Sequence, residues 1–139
     1  MDPKLKVLHV EDNPAHAELV SRGFEDLNIN LELVLFKDGE EIVNYIGDRN
    51  APLPQMILLD LNLPKVKGLE VLKQIRQSPR YEGIPVIILS TSEARSDIKS
   101  AYENKANSYL VKPLDYDNFQ SMINTCGQYW ANCNRTFPF

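Results

Sequence analysis

The residues of this chain that could do chemistry stand directly behind short apolar runs. Glu11 and Asp12 follow KLKVLHV, and Asp60 follows the uncharged run MILL. Ser90 and Lys112 stand in the same way behind PVIIL and SYLV. Such runs are typical of parallel strands buried on both faces, and ligands bind in the crevice at the carboxyl ends of these strands. The spacing therefore predicts that the five residues meet in one polar site at one edge of a sheet.

The acids of this set suggest a divalent metal. Carboxylates gathered in one crevice repel one another, and a hard cation with oxygen ligands relieves the repulsion. We expect Mg²⁺, or Mn²⁺, with Asp12 and Asp60 as direct ligands. The backbone carbonyl of Asn62 would supply another ligand, and Glu11 would bind through water. An acid pair after a single strand is more often solvent-exposed than part of a metal site. The prediction therefore depends on Glu11, Asp12 and Asp60 lying close together.

The serine and the lysine point to an anionic ligand. An ammonium group holds an anion as a point charge, and a hydroxyl group can donate a hydrogen bond to it. An aspartate beside Mg²⁺ can attack phosphorus and become an acyl phosphate, so the set favours phosphoryl transfer onto Asp60. Taken singly, each residue has a simpler interpretation: Asp60 as a turn cap, Ser90 as a helix cap and Lys112 as a surface lysine.

Apolar strand-like runs and amphipathic helical segments alternate five times along the chain. The strands are predicted at 4–10, 31–35, 56–59, 85–89 and 108–111, the second of them at an edge because its leucines alternate with Glu32 at its start. The helices are predicted from Asn13-Pro14 onward, at 40–46, 68–77 and 93–104, and from Tyr116 through Cys133. This order predicts an α/β fold: a doubly wound, five-stranded parallel sheet in the order 2-1-3-4-5 with five helices.

Composition excludes several classes of protein. The 139 residues suit one domain, 43% of them are apolar, and no run approaches the roughly 18 apolar residues of a membrane span. The N-terminus lacks the apolar segment of a signal peptide, so the cytoplasm is the expected location. A net charge of −4 without a basic cluster argues against nucleic acid as a partner. Cys126 and Cys133, two turns apart on one predicted helix, are expected to be reduced.

The motifs occur together in an order that resembles the receiver domain of two-component response regulators. The matching segments are Glu11-Asp12, DLNLPKVKGLEVL from Asp60, ILSTSE from Ile88 and YLVKPL from Tyr109. The resemblance covers about residues 5–130 and implies a flavodoxin-like receiver fold. It implies that Asp60 is the phosphoacceptor, Glu11 and Asp12 the acidic metal pocket, Ser90 the switch hydroxyl, Tyr109 the switch aromatic and Lys112 the lysine that contacts the phosphoryl group.

Two details of the resemblance concern single positions. The family often has a cis peptide bond at the position of Lys112-Pro113. Many receivers carry an acid where this chain has Lys67, a departure that lies outside the functional set.

The chain also resembles the stand-alone receivers, and its opening and C-terminal segments are similar to response regulators that partner phytochrome kinases. This implies a single domain over 1–139, with a tail at 131–139. The expected partners are a sensor histidine kinase, for which the resemblance suggests a phytochrome, and a downstream protein. Because the last helix and the tail carry an apolar stripe with Phe137 and Phe139, we expect either a homodimer or a partner groove there, or a tail folded back on its own core.

Two other functions remain open on the sequence alone. A phosphatase with an aspartyl phosphate also places its nucleophile after a strand, but typically has a second acid where this chain has Asn62. A receiver-like binding module without phosphorylation would not need the acids, hydroxyl and lysine together. We therefore expect a phosphoacceptor that catalyses its own modification, rather than an enzyme with turnover.

Overall fold

The computed structural model describes residues 4–134. Five strands are present: β1 (Leu5–Val10), β2 (Leu31–Phe36), β3 (Met56–Leu59), β4 (Val86–Ser90) and β5 (Ser108–Val111). Five α-helices separate and follow them: α1 (Pro14–Glu25), α2 (Gly39–Gly47), α3 (Gly68–Gln77), α4 (Arg95–Glu103) and α5 (Tyr116–Gln128). A π-helical segment, Tyr129–Cys133, continues α5. No helix among these residues is long and apolar enough to cross a membrane.

The sheet is parallel throughout, in the order β2-β1-β3-β4-β5. Val10 pairs with Leu59, and Leu59 pairs with Ile88, so the central strands end at the same level. Strand β2 is an edge strand, and its Leu35 is 40% exposed. The predicted fold class and strand order are therefore confirmed, because alternation and run length carried enough information to fix both.

The two faces of the sheet bury different helices. Leu8, Ile57 and Ile88 point toward an apolar cluster with Leu72 and Ile75 of α3. The opposite face is covered by α1 and α5. The residues buried between these two helices and the strands are Val20, Phe24, Phe119, Ile123, Val7, Leu58 and Ile87. Burial of central strands on both faces explains why their sequences are continuous apolar runs.

Helix α1 begins where the sequence predicts. Asn13 is the N-cap, and its Oδ1 accepts hydrogen bonds from the backbone N–H groups of Ala15 at 2.9 Å and His16 at 3.2 Å. Pro14 follows in the first turn, where a missing N–H costs nothing. The cap thus fixes the first turn of α1 beside the acids that follow β1.

Two helices depart from the prediction. Helix α4 begins at Arg95 rather than near residue 93, and its Tyr102 is 49% exposed. Ala101 is the one fully buried residue of α4. At the end of α5, Cys133 is exposed although the apolar stripe was predicted to include it. The physical reason is the wider π-type turn, in which the Asn134 N–H bonds to the Tyr129 carbonyl and shifts the following side chains off the stripe.

Arg76, near the end of α3, binds two separate loops. Its guanidinium donates to the carbonyls of Ile84 at 2.8 Å and Glu82 at 3.2 Å in the loop before β4. It also donates to the Lys105 carbonyl at 3.0 Å and to the Asn107 side chain at 2.7 Å, beyond the end of α4. The two loops on this side of the sheet are thereby held to α3.

Candidate functional site

The candidate site residues are positioned by backbone hydrogen bonds that extend the sheet past its strands. The Glu11 N–H donates to the Phe36 carbonyl at 2.9 Å, and the Asp60 N–H donates to the Val10 carbonyl at 3.1 Å. Between β4 and β5, the Lys112 N–H donates to the Ser90 carbonyl at 2.7 Å. The backbones of these residues are therefore fixed by hydrogen bonds to the sheet.

The three acids come together. One carboxylate oxygen from each of Glu11, Asp12 and Asp60 lies within 4.8 Å of the others, with Glu11 and Asp60 buried and Asp12 exposed. Three oxygen donors at one concave edge fit a hard divalent cation better than any softer metal. Asn62 is held beside them, because its backbone N–H donates to Asp60 Oδ1 at 3.2 Å. The assignment of its carbonyl as a metal ligand stays a prediction.

Lys112 is buried in the middle of this group. Its Nζ lies 2.6 Å from Glu11 Oε1 and 3.2 Å from Asp60 Oδ2. Burial raises the pKa of Glu11 to about 7, against the opposing effect of the Lys112 ammonium. The lysine therefore balances two buried carboxylates, which is inconsistent with an ordinary surface lysine.

Ser90 and Tyr109 are joined through one residue that the sequence analysis did not select, Ser92. The Ser92 N–H donates to Ser90 Oγ at 3.1 Å, and the Tyr109 hydroxyl donates to the Ser92 carbonyl at 2.9 Å. The Ser92 hydroxyl donates to Asp97 at 2.5 Å and accepts from the Ala94 N–H at 3.1 Å, which orders the start of α4. Both predicted switch residues thus contact the same short turn.

The peptide bond between Lys112 and Pro113 differs from the one the resemblance implied. No peptide bond among residues 4–134 is cis, so this bond is trans. Proline makes the cis form accessible, but trans remains the lower-energy default by about 0.5–1 kcal/mol.

Both histidines of the chain lie close to the site, and the sequence analysis selected neither. His16, on α1, places its Nδ1 3.1 Å from Lys112 Nζ, and its ring lies 5.7 Å from that of Phe119. His9 is buried on β1 without a protein hydrogen-bond partner among the described residues. Burial, and then the charges of Lys112 and His16, lower the pKa of His9 to about 3, so this imidazole is neutral. A polar residue between the apolar Leu8 and Val10 was the available signal for His9.

Two glycines hold the loop that carries the phosphoacceptor candidate. The Gly68 N–H donates to the Leu61 carbonyl at 3.0 Å, and the Gly39 N–H donates to the Pro64 carbonyl at 3.2 Å. A Cβ atom at Gly68 would collide with the Asp60 carbonyl oxygen and lie 2.6 Å from Leu61 Cα. A Cβ atom at Gly39 would collide with the Val66 carbonyl. These close approaches require glycine at both positions.

The fold and this arrangement define a class of protein. A family model described as the response regulator receiver domain matches residues 7–124, and the chain belongs to that family.

Its similarity to individual members is also high. The chain is 43% identical over 135 residues to the probable methanogenesis regulatory protein FilR2 of Methanothrix harundinacea, covering 94% of this chain and 86% of that protein. It is 35% identical over 133 residues to the response regulator Rcp1 of Synechocystis sp., covering 93% of this chain and 90% of that protein.

Solved structures agree with the sequence matches. The Mn²⁺-bound form of Rcp1 superposes with a TM-score of 0.92 at 33% identity, covering 96% of this chain and 99% of Rcp1. The phosphorylated cyanobacterial phytochrome response regulator RcpA superposes with a TM-score of 0.93 at 32% identity, covering 98% of this chain and 100% of RcpA. The chain is thus a receiver domain similar to phytochrome response regulators in sequence and structure.

Proposed function

We propose that this receiver accepts a phosphoryl group from a sensor histidine kinase onto Asp60 and signals through a changed surface. The observation that carries the proposal is the position of the Asp60 carboxylate, within 4.8 Å of the other two acids and 3.2 Å from the Lys112 ammonium. An Asp60 oxygen forms the new P–O bond, the P–N bond of the phosphohistidine breaks, and the departing imidazole takes up a proton.

The acidic cluster would hold a divalent cation, Mg²⁺ or Mn²⁺, as the Mn²⁺-bound form of Rcp1 supports. When bound there, the cation supplies charge neutralisation for the phosphoryl oxygens. Asp12 and Asp60 are the proposed direct ligands, with the Asn62 carbonyl, and Glu11, whose Oε1 bonds to Lys112, would bind through water. The chain would thus catalyse its own phosphorylation, and the hydrolysis of the acyl phosphate at the same site, without turnover of a separate substrate.

The turn at Ser92 offers a route from the phosphoryl group to the surface. Ser90 Oγ accepts from the Ser92 N–H, which leaves the hydroxyl proton available to a phosphoryl oxygen. A shift of Ser90 toward that oxygen would pull on Ser92, whose carbonyl accepts from Tyr109. Release of Tyr109 would then let its ring turn inward and change the surface formed by α4, β5 and α5.

Labelling of Asp60→Asn tests the proposal. We expect wild-type protein to take up about one equivalent of label, released by hydroxylamine, from a phosphorylated histidine kinase in the presence of Mg²⁺, and the variant to take up none. Asp117→Asn, at an exposed acid in the first turn of α5, is the matched control and should label normally. Persistent labelling of Asp60→Asn would refute the assignment, and steady turnover of a phosphate monoester would instead favour the phosphatase.

The proposed donor is a phytochrome kinase in the cytoplasm. Similarity to Rcp1 and to the phytochrome response regulator RcpA supports it. The name of FilR2 points to a different pathway at higher identity, so the donors in the labelling experiment should include kinases without a phytochrome sensor. Faster transfer from those kinases than from a phytochrome would contradict this finer proposal.

A homodimer through α5 and the segment beyond it is the proposed assembly. Exposed aromatic residues surround this region, with Tyr116 and Tyr129 about half exposed, and Leu110, Met122 and Trp130 line a groove between β5 and α5. Phe137 and Phe139 lie outside the described residues. Sedimentation should show a dimer for the full chain and a monomer for a chain ending at Asn132, since the truncation removes the apolar end of the proposed interface. Monomer mass for both chains would exclude the dimer.

A further inference from the structure

We propose that His16 is a positioning residue for Lys112, holding the ammonium against α1 while the phosphoryl group is transferred. The inference rests on the proposed function, to which it adds a residue outside the acid, serine, tyrosine and lysine set. Its basis is the geometry around Lys112 Nζ, at which three acceptors meet.

An ammonium group has three N–H donors and no acceptor. Those donors meet Glu11 Oε1 at 2.6 Å, His16 Nδ1 at 3.1 Å and Asp60 Oδ2 at 3.2 Å. All three are therefore satisfied by protein groups, in a place where an unsatisfied donor would be costly. Because Lys112 can only donate, Nδ1 of His16 must be the acceptor, and its ring proton must lie on Nε2.

The imidazole is held in this orientation by a ring contact and by the fixed backbone of its own turn. Its ring packs against Phe119 of α5 with centroids 5.7 Å apart. Burial, and then the charge of Lys112, lower the pKa of His16, which favours the neutral ring that acceptance requires. The Asn13 cap fixes the backbone of the same turn by accepting the His16 N–H. The acceptor is thus presented to Lys112 by a fixed element.

His16 differs from the other two acceptors in charge. The Asp60 carboxylate is the group that becomes phosphorylated, so its contact with Lys112 must change during the reaction. Glu11 and His16 stay in place and hold two of the three N–H groups, and the third N–H passes from Asp60 Oδ2 to a phosphoryl oxygen. A neutral acceptor fixes the ammonium without competing electrostatically for it, as a third carboxylate would.

The matched pair His16→Leu and His16→Asn separates this role from packing. Leucine keeps most of the side-chain volume and removes the acceptor, whereas asparagine loses ring packing on Phe119 but can place Oδ1 near the position of Nδ1. We expect His16→Leu to lower the labelling rate of Asp60 about fivefold, the effect of losing roughly one hydrogen bond of about 1 kcal/mol, and His16→Asn to restore most of it. Equal loss in both variants would show that packing is the role.

A second measurement is independent of phosphorylation. In ¹⁵N NMR spectra of the unmodified protein, we expect His16 to be the Nε2–H tautomer and the Lys112 ammonium protons to exchange slowly. His16→Leu should accelerate that exchange, and His16→Asn should not. A wild-type ring protonated on Nδ1, or unchanged Lys112 exchange in His16→Leu, would overturn the proposal even if Asp60 is phosphorylated normally. Loss of labelling in wild type with the NMR contacts intact would instead refute the proposed function alone.

Discussion

Replacing Gly68 with alanine should nearly abolish phosphorylation of Asp60, although Gly68 contacts neither phosphate nor metal in the proposed mechanism. The new methyl group would collide with the Asp60 carbonyl oxygen and lie 2.9 Å from the carbonyl carbon of the same residue. These are backbone atoms, so no side-chain rotation can relieve the overlap. The peptide of Asp60, the proposed phosphoacceptor, must move.

The expected magnitudes follow from that displacement. Overpacking of this kind costs about 1–3 kcal/mol of unfolding free energy. Misplacement of a reacting group by about 1 Å lowers a rate on the order of a hundredfold. Urea denaturation measures the first quantity, and the initial rate of labelling measures the second. We expect a large decrease in the labelling rate and only a modest decrease in the free energy of unfolding.

Gly47→Ala is the matched control for this substitution. Gly47 ends α2, and a Cβ atom there would meet nothing within 4 Å. Alanine should stabilise that helix end by up to about 1 kcal/mol and leave the labelling rate unchanged. A wild-type labelling rate in Gly68→Ala would mean that the loop after β3 tolerates the displacement, contrary to the packing described above.

The second large effect is expected from Lys112→Met measured without divalent cations. The substitution leaves Glu11 and Asp60 buried beside each other without their cation. Breaking a buried ion pair in this way costs about 3–5 kcal/mol, which approaches the whole stability of many domains. Mg²⁺ should restore more stability to the variant than it adds to the wild type, because it would supply the missing positive charge.

The loss should depend on pH through Glu11. Its pKa rises from an ordinary 4.5 to about 7 in the folded protein, so its contribution to stability is fully present below pH 4.5 and is lost as pH rises through 7. Without the opposing Lys112 charge, that pKa moves further up. The deficit of Lys112→Met relative to wild type should therefore be smaller at pH 6 than at pH 8.

Lys99→Met is the control for the loss of a lysine charge. Lys99 pairs with Glu103 on the surface of α4, where both side chains are largely exposed. Such pairs contribute at most about 0.5 kcal/mol, so this variant should unfold near the wild-type urea midpoint. A Lys112→Met protein as stable as Lys99→Met at pH 8 without Mg²⁺ would contradict the role given to the buried lysine.

The sequence was sufficient for the sheet and for the residues at its edge because both depend on chain-local patterns. Each strand is a short apolar run, and parallel pairing then brings every strand end to one side. Asp60 and Lys112 could be placed near each other by that rule alone. The distances from Lys112 to its partners could not be predicted from the sequence, since they depend on how α1 and α5 pack.

His16 and Ser92 show what the sequence did not reveal. His16 lies within a helix and is 96 residues from Lys112 in the sequence. The residues around it form an ordinary amphipathic helix and give no sign that His16 contacts the site. Ser92 was visible only as part of a polar segment, although its backbone contacts both Ser90 and Tyr109. Cys133 was misplaced because a regular helical period cannot anticipate a π-type turn.

Arg76 has a consequence for the way a signal could leave the protein. Arg76 donates hydrogen bonds to the Lys105 carbonyl and the Asn107 side chain, just beyond the end of α4. Within α4 itself, only Ala101 is fully buried. The other end of α4 begins at the Ser92 turn, beside Ser90 and Tyr109. The bonds at the Ser92 turn are the ones that a phosphoryl group on Asp60 would disturb, whereas the Arg76 contacts lie beyond the opposite end of α4. We therefore expect phosphorylation to tilt α4 about its C-terminal end, with the largest displacement at its N-terminal end.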